Sequence, residues 1–95
     1  MTPSTEMQRH VVLFRGRVQG VGFRYQTQRA ARGFDVVGYV KNLPTGEVEL
    51  VAEGAADELK RFVAAVRQVM DDFIQDVDIN TGPYTGEFFT FEVRI

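Results

Sequence analysis

The sequence predicts an α+β fold, two helices on one face of a mostly antiparallel sheet, and three observations carry that prediction. Runs with the two-residue period of strands and runs with the 3.6-residue period of helices follow one another as β, α, β, β, α, β, β. The chain has 95 residues, of which 44% are hydrophobic and eight are phenylalanine, enough for one core without disulfide or metal staples. No segment repeats and none is of low complexity. This order is the split βαβ arrangement of a ferredoxin-like α/β sandwich, βαββαβ plus a short fifth strand.

Residues 1–8 are polar and carry Pro3 and Ser4, which predicts a flexible N-terminal tail ahead of one domain over residues 9–95. The run HVVLFRGRV, His10 to Val18, is β-branched and aromatic and ends in a glycine-rich turn, the pattern of a first strand. Phe23, Thr27, Ala30 and Phe34 then recur at offsets of 4, 7 and 11, while Arg24, Gln28 and Arg32 fall on another face. That predicts a helix of about three turns with Gly33 as its C′ residue. VVGYVKN, Val36 to Asn42, and GEVELVAE, Gly46 to Glu53, read as a hairpin, with Pro44 and Gly46 at the second and fourth positions of a type I turn. From Asp57 onward, Leu59, Phe62, Val63, Val66, Met70 and Phe73 form the clearest amphipathic stripe in the chain. IQDVDIN, from Ile74, is a weaker strand pattern. FFTFEVRI closes the chain, with Phe89, Phe91, Val93 and Ile95 alternating against Phe88, Thr90, Glu92 and Arg94. The phenylalanines, at alternating and helical spacing, are expected in the core.

Composition narrows the chemistry. Without cysteine there is no disulfide framework, thiolate or cysteine-type zinc site, and the single histidine, His10, is too little for a histidine metal cluster. The expected compartment is cytoplasmic. Arg15 and Gly16 interrupt VVLF, so the N-terminal region has no apolar run of secretory or membrane-spanning length. A net charge of −2 speaks against a general nucleic-acid binder. The sum hides an asymmetry: Arg9 to Lys41 holds seven basic residues against one acid, and Asn42 to Ile95 holds four against eleven. Solvated helix faces account for such sorting, and so does a small anion held by the first third of the chain.

The stretch GRVQGVGFR, Gly16 to Arg24, lies between the first strand and the first helix. A strand, a glycine-rich turn and a helix can converge backbone N–H groups on one point, reinforced by the positive end of the helix dipole. Gly16, Gly20 and Gly22 permit positive φ, and Arg24 can fork onto a phosphate or carboxylate. A tight turn with Arg24 in solvent has the same composition, so both readings stand at this point. Two phosphate motifs are excluded. Gly20 is followed by Val21 and Gly22, not by Lys and Ser/Thr as in a Walker loop, and the spacing is not that of a dinucleotide fingerprint.

GRVQGVGFR followed by GYVKNLPTGEVE, Gly38 to Glu49, resembles the paired signature of the acylphosphatase family, and the similarity runs through VAEG and the second helix to FEVR at the end. The resemblance implies hydrolysis of the carboxyl–phosphate anhydride of acyl phosphates, with neither metal nor other cofactor. It implies that Arg24 binds the phosphoryl group, that the amides of Val18, Gln19, Gly20, Val21, Gly22 and Phe23 cradle it, and that Asn42 positions the attacking water. A small-molecule acyl phosphate is then the partner, without nucleic acid or membrane, and a monomer is the default at this size. The chain departs from the family in Tyr39, where Trp is common, in QVMDDFIQD, where many members have Gly-Pro after the second helix, and in ARGFDVVGY, where Leu-Gly-Leu is commoner.

Other patterns carry less. DVDINTGPYTGE has acids at calcium-loop spacing, but its glycine is one place late, Pro83 follows, and a strand comes next in place of a helix. DVDIN also has the spacing of an aspartyl phosphatase nucleophile but lacks the larger domain and the Mg²⁺ ligands. His10, at the start of the first strand, is expected at the surface or a sheet edge, not as a catalytic base. An RNA-binding module would need exposed aromatics on the central strands, and GEVELVAE offers none.

Overall fold

The computed structural model describes residues 5–95. In chain order the elements are β1 (Met7–Gly16), α1 (Phe23–Ala31), β2 (Val36–Asn42), β3 (Val48–Ala55), α2 (Ala56–Val69), a 3₁₀ turn (Asp71–Phe73), β4 (Ile74–Pro83) and β5 (Phe91–Arg94). One five-stranded sheet has the order β4-β1-β3-β2-β5. Every pairing is antiparallel except β2 with β5, which is parallel.

The core follows from the two periods. Val12 and Phe14 of β1, Val36 and Val40 of β2, and Val48, Leu50 and Ala52 of β3 occupy alternate positions and so share one face. Phe23, Thr27 and Ala31 of α1 and Leu59, Phe62, Val63 and Val66 of α2 recur at three- and four-residue spacing and close over that face. Phe14, Phe23 and Phe62 are fully covered, so truncating any of them to Ala would cost about 3–5 kcal/mol. Thr27 sits among these apolar groups because its hydroxyl donates to the Phe23 carbonyl at 2.8 Å, within its own helix.

Several boundaries differ from expectation. β1 starts at Met7, because Met7 and Gln8 pair with Ala55 and Gly54 of β3, so the expected tail loses its last residues to the sheet; residues 1–4 lie outside the described residues. α1 ends at Ala31, with Arg32 as C-cap, and Gly33 does not take the left-handed conformation; Phe34 leaves the helix yet still packs on Phe62, ring centroids 5.9 Å apart. α2 stops at Val69, and Phe73 belongs to the 3₁₀ turn that leads straight into β4. β4 runs on to Pro83 because its neighbour β1 is long enough to pair Thr81, Gly82 and Pro83 with His10, Arg9 and Gln8. β5 is only four residues, so Phe88 and Phe89 lie outside it and, against expectation, outside the core; Phe89 is 91% exposed.

β4 and β5 lie on opposite edges, so the segment between them crosses the sheet on the face away from the helices. There it packs Phe88 against Tyr39 at 5.9 Å and beneath the Arg9 guanidinium at 5.3 Å. It also covers Glu53, a buried carboxylate that accepts from Thr85 Oγ1 at 2.7 Å, from the amides of Thr85 and Gly86 at 3.0 Å each, and from Arg9 at 3.2 Å. On the same face Arg15 pairs with Glu47 and Asp76. Part of the charge sorting is thus ion pairing across the open face, and two of the seven early cations are spent there. No helix among the described residues is long and apolar enough to cross a membrane.

Candidate active site

The expected site residues sit at one end of the sheet. β1 delivers the chain to Gly16, and the loop returns it to α1 at Phe23. The register puts Phe14, Val48 and Asn42 in one row across β1, β3 and β2. Phe23 stacks on Phe14 at 4.9 Å, which pins the first residue of α1 over that row. Val18 is fully buried and anchors the middle of the loop. Gly20 and Gly22 have φ of 78° and 79°, the left-handed region where a side chain would be strained, so this loop path needs glycine at both places.

α1 begins from Gly22 with no capping side chain and no acid in its first turn. Its leading amides therefore receive no acceptor from a capping residue, and the positive end of the helix is not neutralised locally. Arg24 is the second helical residue. Its Nη1 donates to the Arg94 carbonyl at 3.1 Å, and Arg94 is the register partner of Lys41, next to Asn42 on β2. The sheet edge thus brings the Arg24 guanidinium to the strand end that bears Asn42. Arg94 is held in turn by its own side chain, which lies 4.1 Å over the Tyr39 ring. The Tyr39 hydroxyl donates to Glu49 at 2.8 Å; burial first, and that carboxylate second, push the phenol up to about 12.

Asn42 Oδ1 is buried and accepts no hydrogen bond from the described residues. Buried amide oxygens are nearly always paired, so an unpaired one beside an electropositive loop marks a place for a donor from outside the chain. Sequence reading missed a second amide. Gln19, expected to contribute only its backbone, sends its side-chain Nε2 to the Leu43 carbonyl at 2.8 Å and to the Glu47 carbonyl at 2.9 Å. These carbonyls flank the hairpin turn that follows Asn42, itself closed by Gly46 N to Leu43 O at 3.1 Å with Gly46 at a φ of 95°. The loop and the Asn42 strand end are tied by one side chain. The only signal for it was a polar residue beside a buried one, Val18.

The two acidic decoys fall elsewhere. Asp76 and Asp78 lie on the open face, where Asp76 accepts from Arg15 at 2.9 Å, and no group of three or more possible metal-binding side chains gathers among the described residues. His10 is also corrected: it is buried, facing α2, because β1 starts three residues before it and its neighbours are Ala52 and Thr81.

Comparison with known proteins gives the family. The family model described as acylphosphatase matches residues 10–93. An acylphosphatase of Syntrophus aciditrophicus is 41% identical over 88 residues, 92% of each chain, and one of Bacillus velezensis is 55% identical over 53 residues, 56% of this chain and 59% of its own. The crystal structure of acylphosphatase from Bacillus subtilis superposes with a TM-score of 0.80 at 32% identity, covering 95% of this chain and all of that one. With a family model over nearly all of its length and relatives matched end to end, the chain belongs to the acylphosphatase family, hydrolases that act on acyl phosphates.

Proposed function

We propose that this hydrolase works without a metal ion or other cofactor, that Arg24 and the amides of Val18 through Phe23 bind the phosphoryl group, and that Asn42 holds the attacking water. The observation that carries the reading is the unpaired Asn42 Oδ1 at the strand end reached by Arg24. That oxygen accepts a hydrogen bond from the water and so aims the water's lone pair at phosphorus. A neutral amide suits the place, since a carboxylate there would repel the substrate.

The leaving group explains why no proton carrier is needed. Water oxygen bonds to phosphorus, the bond from phosphorus to the acyl oxygen breaks, and its electron pair leaves on a carboxylate whose conjugate acid has a pKa of about 4–5. The phosphate oxygens take up the proton released by the water. Positioning and charge stabilisation then supply the rate, from amides, one guanidinium and one side-chain amide. Phosphate monoesters, whose alkoxides need protonation, are poor substrates on this scheme. The same reading makes the protein a cytoplasmic monomer, in keeping with a chain that has no cysteine.

The test is release of carboxylate and phosphate from an aromatic acyl phosphate in the presence of EDTA, beside a phosphate monoester. Chelator-resistant hydrolysis of the acyl phosphate alone supports the metal-free step and the leaving-group argument together. Loss of activity in EDTA that returns with a divalent cation would refute the metal-free step. No turnover with phosphate still binding would turn the reading into that of a phosphate sensor.

A further inference from the structure

α2 packs against β3, β1 and β2, and on the helix-facing side of the edge strand β4 Ile79 stays 43% exposed. Between α2 and β4 lies a groove of about 680 Å³. Val63, Ala64 and Ile79 give it apolar walls, Lys60 and Arg67 line it from α2, and His10 lines it from β1. His10 is buried, its Nε2 lies 3.3 Å from Gln8 Oε1, and its Nδ1 has no partner among the described residues. An amide oxygen only accepts, so the tautomer that satisfies this contact carries its proton on Nε2 and leaves Nδ1 as an acceptor. Burial pushes the imidazole below its ordinary value, which keeps it neutral at pH 7. The groove therefore combines an unpaired acceptor, an apolar surface and two cations.

We propose that this groove is a second binding site, for a small amphipathic acid. The carboxylate faces Lys60 and Arg67, the apolar body lies on Val63, Ala64 and Ile79, and a hydroxyl or N–H donates to His10 Nδ1. Asp57, which lines the groove where α2 begins, sets the direction by repelling the carboxylate from that end. The site is separate from the catalytic end: His10 to Gly16 spans six steps of β1, about 20 Å. The inference does not depend on the catalytic reading.

Para-hydroxyphenylacetate carries all three features, phenylacetate lacks the donor, and tyrosol lacks the charge. Each is titrated into isotope-labelled full-length protein while amide and histidine-ring resonances are followed by NMR. The first probe is expected to give saturable shifts at His10, Ala64 and Ile79, and the other two to bind about fivefold more weakly, the worth of one hydrogen bond or one charge contact. His10→Phe keeps a ring in place and is expected to erase the preference over phenylacetate. Lys60→Gln with Arg67→Gln, both on the exposed side of α2, is expected to erase the preference over tyrosol. Should His10→Phe fail to fold, the Lys60 and Arg67 pair decides alone. No saturable shift with any probe, shifts confined to residues 16–24, or equal affinity for all three would overturn the proposal.

Discussion

Two regions of this molecule set an arginine near backbone amides, and they differ in whether the chain supplies them with a negative charge. On the open face of the sheet the charge is internal. The Glu53 carboxylate collects the amides of Thr85 and Gly86, the Thr85 hydroxyl and the Arg9 guanidinium, and all these donors are spent on holding the 84–88 segment to β3. At the loop between β1 and α1, Arg24 lies in the first turn of α1 beside the leading amides of the helix, but that turn has no acid, and Arg24 has no carboxylate partner among the described residues. The same donor set is structural where the chain supplies the anion and fit for a ligand where it does not.

The comparison is broken most severely at Arg24. Arg24→Ala is expected to lower kcat/KM by about a thousandfold or more, roughly 4 kcal/mol of transition-state stabilisation, and to abolish phosphate binding. Its melting temperature should barely change, because the one hydrogen bond lost is at an exposed carbonyl. Arg24→Lys should fare poorly too, since an ammonium cannot reproduce the planar fork. Asn42→Ala comes next, with kcat down by about a hundredfold to a thousandfold while inorganic phosphate still binds. Steady-state kinetics with phosphate as competitive inhibitor reads both, and equal loss of phosphate binding in the two variants would end the division of roles.

Glu53 gives the opposite outcome. Glu53→Ala leaves Arg9 short of a partner and several donors unpaired, so about 3 kcal/mol of stability is expected to go, with turnover per folded molecule kept. The pH dependence follows from the direction of its shift. Burial alone pushes this carboxyl up, but bonds from the Thr85 hydroxyl, the Gly86 and Thr85 amides and Arg9 more than reverse that, and the folded value lies below the ordinary glutamate range. A carboxyl depressed by folding contributes stability that is present above its unfolded pKa and fades as pH falls through the folded one. The wild type should therefore lose this contribution on acidification below the ordinary glutamate range. The variant should melt lower at neutral pH but decline less in acid, and parallel acid profiles would remove Glu53 from that role.

The two regions were unequally legible in the sequence. The proposed catalytic end is local: glycine spacing, a strand before and a helix after are visible in nine consecutive residues, and the family resemblance singled out Arg24 and Asn42. What decides the open face is non-local. Nothing around Glu53 announces that a segment more than thirty residues later will bury it, and the same pairing took Arg9 out of any role as a free cation. The phenylalanines show the limit of periodicity. Phe89 continues the alternation of Phe91, yet β5 begins only at Phe91, since β2 offers it partners just from Gly38 to Lys41. His10 was misplaced for a related reason: burial depends on how far β1 extends ahead of it, and that was set by the pairing of Met7 and Gln8 with β3.

Gln19 sharpens the comparison at its finest grain, because it asks whether the loop is preorganised as firmly as the Glu53 clasp. Its two bonds to the carbonyls of Leu43 and Glu47 tie the loop to the turn after Asn42, and it is only partly buried, so removing it leaves little unfilled core. Gln19→Ala should spare the melting temperature within a few degrees while weakening phosphate binding and kcat/KM by about tenfold, since two donated bonds net roughly 1–2 kcal/mol. Gln19→Glu distinguishes positioning from bulk: the carboxylate has the length of the amide but cannot donate, so it should behave no better than Ala. If Gln19→Glu instead kept wild-type kinetics, the loop would be set by Val18 burial and the two left-handed glycines alone, and the tie between the loop and the strand end would be incidental to catalysis.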